Sequence, residues 1–263
     1  MTDSVLANRH VGRVMGLDEA GRGAVVGPLV VGAVTVGPGG EDKLAALGVA
    51  DSKQLTAVKR SLLAPLVMDQ ALFASTLPLN PTEVDQALAN PLDNLNLLEV
   101  RAMVGLIAEH PPDLVIVDAV SKPPYFSREV ALVLKGRSDV AKVRLVAEDR
   151  VEVRWADPSD DVPAITTVVA RNKADQLFPV VSAASILAKV ARDKAIRTLE
   201  SQHSLPNGIL ASGYPNKQLY PFLETYRDQL HRQLLPFVRY RWAWPPLQQI
   251  LHPSKTRQTK LRL

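Results

Sequence analysis

The chain has 263 residues, of which 46% are hydrophobic and 22% charged, with no cysteine. This is a globular composition, and zero cysteine excludes disulfides, thiolate metal sites and a cysteine nucleophile. The net charge of +4 fits an anionic partner. The longest uncharged run, residues 24–40, is interrupted by glycine and proline, so no membrane span is expected. Residues 1–11 lack an apolar stretch of signal-peptide type. The expectation is a monomer in the cytoplasm with no membrane partner.

In chain order, Val11 to Leu17 reads as an apolar segment ending at Asp18 and Glu19. Gly27 to Val36 reads as a Val-rich strand, followed by a turn at Gly37-Pro38-Gly39-Gly40. Thr56 to Met68 has helical spacing and Gln70 to Leu79 reads as a strand. Pro81 opens a short helix toward Leu88. Asn94 to His110 is a strongly periodic helix stopped by Pro111-Pro112. Leu114 to Val117 is a four-residue apolar run of buried-strand type that ends at Asp118.

Further along, Ser127 to Lys135 reads as helix and Lys142 to Ala147 as strand. Val151, Val153 and Trp155 alternate with polar residues, a turn follows at 157–161, and Ile165 to Val169 is apolar. This predicts a hairpin inserted at 150–169. Its role is either to extend a nucleic-acid surface with Trp155, Arg150 and Arg154 or to pack, and packing is favoured. Pro179 to Ser201 is a long helix carrying Ser182, Ala183, Ala184 and Ser185, small residues that allow another backbone to approach. Gly213-Tyr214-Pro215 marks a turn before a helix to about Leu235. Six basic residues from Arg239 to Arg262, with no acid among them, are either a solvated tail or a phosphate contact. Strands alternating with helices predict a mixed α/β sheet.

The chemistry is expected where acids stand at strand ends. Sites in open α/β sheets gather beyond the carboxyl ends of strands, and Asp18, Glu19 and Asp118 hold such positions. Two carboxylates ~4 Å apart repel by about 4 kcal/mol at an effective dielectric near 20, so a cluster must share protons or hold a cation. The five histidines show no zinc spacing. Oxygen donors without thiolates favour Mg²⁺ or Mn²⁺. Acids that only cap turns, and an acid pair for glycoside hydrolysis, stay open on spacing alone. Gly21-Arg22-Gly23 offers backbone N–H groups beside Asp18 and Glu19, or is simply a tight turn. It is neither a dinucleotide fingerprint nor a Walker loop, which argues against a mononucleotide-binding enzyme.

Asp18-Glu19-Ala20-Gly21-Arg22-Gly23, Asp51-Ser52-Lys53-Gln54-Leu55, Val117-Asp118, residues 173–193 with their Ser-Ala-Ala-Ser core, and Gly213-Tyr214-Pro215 together resemble the ribonuclease HII family, in family order over residues 14–226. The resemblance implies an RNase H-like fold, with a five-stranded mixed sheet flanked by helices. It also implies a catalytic domain at 1–205 and a C-terminal helical extension with a basic tail at 206–263.

The implied activity is hydrolysis of the RNA strand of RNA/DNA hybrids and incision 5′ to single ribonucleotides in duplex DNA, a step of ribonucleotide excision repair. Asp18, Glu19, Asp118 and Asp175 are implied as catalytic and metal-binding residues. They would hold two divalent ions, Mg²⁺ or Mn²⁺, for in-line attack of water that leaves 3′-hydroxyl and 5′-phosphate ends. Asp193, by contrast, is expected to pair with basic neighbours. Gly21, Arg22, Gly23, Lys53, Ser182 and Tyr214 are implied at the substrate, the glycine loop reading the ribose 2′-hydroxyl and Tyr214 stacking at the RNA–DNA junction. Arg22 and the short lead before Asp18 favour type HII over ribonuclease HIII, whose loop is Gly-Lys-Gly. The longer separation of Asp118 from Asp175 departs from the family pattern and is attributed to the inserted hairpin. Gln258 and Leu261 are present near the end without an aromatic pair, so sliding-clamp binding is not predicted.

Overall fold

The structure is a computed structural model that describes residues 12–49, 55–159 and 162–253. The Asp51–Gln54 part of one family motif, including Lys53, lies outside these residues, as does the tail from 254 onward. Seven strands form one sheet: β1 (Val14–Ala20), β2 (Leu29–Val36), β3 (Phe73–Leu79), β4 (Leu114–Asp118), β5 (Val140–Ala147), β6 (Arg150–Trp155) and β7 (Ile165–Arg171). Their order is β3-β2-β1-β4-β7-β6-β5. β1 runs parallel to β4, and β4 parallel to β7, while the outer pairings are antiparallel.

The expected five strands are therefore seven. The hairpin pairing of β6 with β7 is present, but β7 is an inner strand hydrogen-bonded to β4 rather than part of an insert. The residues that widen the sheet are β5 and β6, added at its edge. Trp155 packs inward, its indole N–H donating to Thr166 Oγ1 at 2.9 Å, while Thr166 in turn donates to the Pro112 carbonyl.

The central strands are apolar on both faces because helices cover both sides. On one face α4 (Leu95–Glu109) and α5 (Pro123–Lys135) bury Met15, Leu17, Val115, Val117 and Val168. On the other, α1 (Gly40–Ala46), α2 (Ala57–Gln70) and α7 (Pro179–Gln202) bury Val14, Val34, Ile116 and Val169. The helix α3 (Pro81–Ala89) starts with a capping box in which Asn80 and Glu83 satisfy each other's backbone. α7 lies against the sheet backbone to backbone. A Cβ on Gly16 would collide with the Val180 carbonyl, and one on Gly32 with the Ala184 carbonyl. The small residues of α7 are what permit that approach.

The helix expected to run unbroken toward Leu235 is instead broken. A 3₁₀ turn (Lys217–Leu219) leads into α8 (Tyr220–Thr225) and then α9 (Arg227–His231), with α10 (Pro245–Leu251) closing the described chain. Pro221 at the start of α8 lacks the N–H needed to continue a helix from the preceding turn. These pieces share a third apolar cluster with Val25, Val26 and Ile196. Val26 also bridges to Val238, and the Gly27 N–H donates to the Phe237 carbonyl. No helix among the described residues is long and apolar enough to cross a membrane.

Candidate active site

Three aspartates meet at the carboxyl ends of the parallel strands. Asp18 lies within β1 and Asp118 closes β4, whose register pairs Leu17 with Val117. The two acids thus leave the same face of neighbouring strands, roughly 4.8 Å apart at the backbone. Asp18 and Glu19 belong to the strand rather than following it, because β1 continues its pairing with β2 as far as Ala20.

Asp175 arrives from α6 (Ala174–Leu177), after a turn in which Lys173 adopts a left-handed backbone at φ 56°. Such a conformation is uncommon for a residue with a Cβ, and here it reverses the chain over the end of β4. The turn is tied down twice: the Ala174 N–H donates to Asp118 Oδ1 at 3.1 Å, and the Ser182 hydroxyl donates to the Asp175 carbonyl. One carboxylate oxygen from each of Asp18, Asp118 and Asp175 lies within 4.8 Å of the others. Asp193 stands apart and pairs with Arg60 at 3.3 Å.

The cluster is electrostatically unfavourable on its own. Burial, then repulsion from Asp118, pushes the Asp18 carboxyl up to about 6, opposed by a Ser185 hydrogen bond and by Lys189. Lys189 donates to Ser185 Oγ at 2.7 Å, so these α7 side chains form a relay ending at Asp18. Glu19 sits outside the triad, since successive strand residues leave opposite faces. Burial, with Asp18 and Glu99 as the main repelling charges, holds its carboxyl well above the usual range, while Arg22 opposes. Three carboxylates converging with no thiolate or imidazole among them are a hard-oxygen donor set that suits Mg²⁺ or Mn²⁺.

The glycine loop is held from the C-terminal part of the chain. The Gly21 N–H donates to the Tyr214 hydroxyl at 2.9 Å, and the Gly213 carbonyl accepts from Val25 and Val26. Gly21 has φ +87°, and a Cβ there would strike the Arg192 side chain. Gly23 faces the Tyr214 ring. The N–H groups of Arg22 and Gly23 have no partner among the described residues. The Arg22 guanidinium turns away to Glu99 and Asn96 of α4. Ser182, expected at the substrate, is 3% exposed and serves as a strut for the Asp175 turn.

The sequence reading missed four neighbours of this site. Glu99 is fully buried beside Arg22 and, mainly by burial, its carboxyl rises to about 7. Lys189 reaches Ser185 at the helical i, i+4 spacing, a signal legible in the sequence. Arg192 lies over the Tyr214 ring at 4.8 Å and donates to the Pro28 and Val26 carbonyls. Arg239 is wholly buried and donates to the Gly27 and Arg22 carbonyls. Nothing in the local pattern around Arg239 distinguishes it from a surface cation.

The ribonuclease HII family profile matches residues 15–244. A ribonuclease HII of Thermococcus onnurineus (strain NA1) is 36% identical over 233 residues, covering 88% of this chain and 87% of the relative. The ribonuclease HII of Pyrococcus furiosus is 33% identical over 254 residues, covering 95% and 96%. Among solved structures, the PCNA:RNase HII complex from Archaeoglobus fulgidus aligns with a TM-score of 0.67 at 28% identity, over 94% of this chain and 98% of that one. Bst-RNase HIII in complex with Mn²⁺ aligns with a TM-score of 0.67 at 21% identity, over 97% of this chain and 74% of that one, a likeness of fold.

Proposed function

The chain belongs to the ribonuclease HII family, and on that premise we propose that it hydrolyses the RNA strand of RNA/DNA hybrids and incises 5′ to single ribonucleotides embedded in duplex DNA. It is a metal-dependent endoribonuclease. The observation that carries this reading is the convergence of Asp18, Asp118 and Asp175 within 4.8 Å. These residues would hold the divalent ions, Mg²⁺ or Mn²⁺ and two per site, with Glu19 alongside. Bound there, the ions supply charge neutralisation of the scissile phosphate and activation of the attacking water for in-line displacement.

The chain's own residues do the rest. Ser185 and Lys189 steady the Asp18 carboxylate in its ionised form. The unpartnered N–H groups of Arg22 and Gly23 are positioned to meet a ribose 2′-hydroxyl, the group that separates RNA from DNA. Tyr214, 36% exposed beside that loop, offers a ring face to the base step at an RNA–DNA junction. Cleavage leaves 3′-hydroxyl and 5′-phosphate ends. A cytoplasmic location and a part in ribonucleotide excision repair accompany this reading.

The test is a DNA duplex carrying one ribonucleotide, incubated with and without Mg²⁺ and mapped at nucleotide resolution. The expected product is a single cut on the 5′ side of the ribonucleotide, only when metal is present. A cut at another position, or equal cutting in EDTA, would overturn the assignment.

A further inference from the structure

The two strands that widen the sheet carry a basic face with no role in the fold. In the register of β5 with β6, Lys142 stands opposite Arg154 and Arg144 opposite Glu152. Like charges directly opposite one another in an antiparallel pair are unfavourable. Lys142, Arg144 and Arg154 are exposed, and none has an ion-pair or hydrogen-bond partner among the described residues. A register shift between Val140 and Lys142 puts these cations on one face. Val140 packs inward, so strict alternation would turn Lys142 inward as well, and the bulge re-aims it outward beside Arg154. Between them the cations line a recess of about 80 Å³, with Glu152 and Ile165.

This face is the one that carries the catalytic aspartates. Asp118 pairs with Arg171, Val169 with Arg150, and Ile165 with Arg154, which pairs in turn with Lys142. Cross-strand partners leave the same face, and residues two apart in a strand do so as well. Asp118, Arg154, Lys142 and Arg144 therefore all project from one side of the sheet. There α7 covers β1 and β2 but does not reach β5 and β6, whose other side is closed by α5. With strands ~4.8 Å apart and a rise of ~3.3 Å per residue, the three cations lie roughly 20–25 Å from Asp118. At 3.4 Å per phosphate along one strand, that is about six or seven base pairs of duplex.

We propose that Lys142, Arg144 and Arg154 form a distal phosphate-binding surface for the duplex whose scissile bond lies at the aspartates. The inference rests on the nuclease reading for the identity of the duplex. Its basis is charge complementarity: three exposed cations without an ion-pair partner among the described residues, two of them, Lys142 and Arg154, set against each other by the register, on the face that leads to the site.

The experiment uses the full chain without metal and measures binding to duplexes that extend 4, 8, 12 or 16 base pairs to either side of one ribonucleotide. Wild type should gain affinity on one side once the flank passes about seven base pairs. The triple variant K142S/R144S/R154S should show no such gain, and its salt dependence on the longest duplex should be shallower by about one unit of log–log slope for each phosphate it no longer neutralises. The charge-preserving triple variant K142R/R144K/R154K should keep the gain, which separates an effect of charge from an effect of folding. Equal length dependence in wild type and the Ser variant would overturn the proposal, as expected if the face instead serves an acidic protein. Loss of the gain in the charge-preserving variant would also overturn it. A wild-type protein that shows the gain yet cuts nothing with Mg²⁺ present would leave the surface standing and remove the nuclease reading.

Discussion

The Tyr214 hydroxyl accepts the Gly21 N–H at 2.9 Å, across 193 residues of sequence. One short contact thus joins the loop beside the acids to the turn that carries the exposed aromatic ring. The same turn accepts the Val25 and Val26 N–H groups at the Gly213 carbonyl, so loop and ring are positioned as one unit. Any displacement of Tyr214 reaches the Gly21–Gly23 loop backbone directly through this bond.

Two substitutions at Tyr214 separate its functions. Tyr214→Phe keeps the ring under Arg192 but removes the acceptor for Gly21, a loss of about 1 kcal/mol, or roughly fivefold in kcat/KM, on every substrate. Tyr214→Ala also removes the stacking face. Its loss should be larger on a duplex with one ribonucleotide than on a long hybrid. Steady-state kinetics on both substrates decide the matter, since equal losses in the Ala variant would exclude a junction-reading ring.

The aspartate triad makes a paired prediction about activity and stability. Asp118→Asn and Asp175→Asn should each lower cleavage by at least about a hundredfold, an expectation from losing an oxygen ligand at a charge-neutralising site. In melting curves, Mg²⁺ should raise the wild-type Tm more at pH 7.5 than at pH 5. Burial and Asp118 push Asp18 up to about 6, so its carboxyl is largely protonated at the lower pH and ionised at the higher. Binding that favours the native state raises Tm by mass action. A Mg²⁺ shift that is unchanged in Asp118→Asn would place the ion elsewhere.

Arg239 is predicted to stabilise the loop through its shape rather than its charge alone. Its guanidinium spans the Gly27 and Arg22 carbonyls, and burial lowers its pKa to about 10. An ammonium cannot present the same planar fork. Arg239→Lys should therefore destabilise by about 2 kcal/mol or more, by analogy with other buried hydrogen bonds from charged groups. Chemical denaturation reads this directly, and an unchanged midpoint would show that one carbonyl partner suffices.

Asp18 and Asp118 were legible because each ends an apolar run, and apolar runs bounded by an acid mark strand ends in a parallel sheet, whereas Asp175 follows the polar Arg171-Asn172-Lys173 stretch and was reached only through the family motif. The strand boundaries were less legible. Buried carboxylates are poor strand formers by propensity, yet pairing with β2 carries β1 through Asp18 and Glu19. The alternation of β6 and the apolar run of β7 identified a hairpin, but only the pairing of β7 with β4 shows that the added strands are β5 and β6. Arg192 and Arg239 were invisible as positioning groups. Their partners are backbone carbonyls more than 160 residues away in sequence, and no local pattern encodes such an interaction.

Glu99 supplies a prediction whose sign is fixed by its environment. Burial raises its carboxyl from 4.5 to about 7, against the pull of Arg22. Because the folded-state value is raised, the folded protein binds the extra proton between pH 4.5 and 7. Stability from this group is therefore present in acid and is lost as pH rises through that window. Glu99→Gln removes the titration while leaving a hydrogen-bond acceptor for Arg22. The variant's stability relative to wild type should rise from pH 5 to pH 8 and level off above it, as read from denaturation midpoints across the range. A difference that stays flat would mean that the Arg22 pairing keeps Glu99 ionised throughout. A difference that falls with pH would mean that the ion pair outweighs burial.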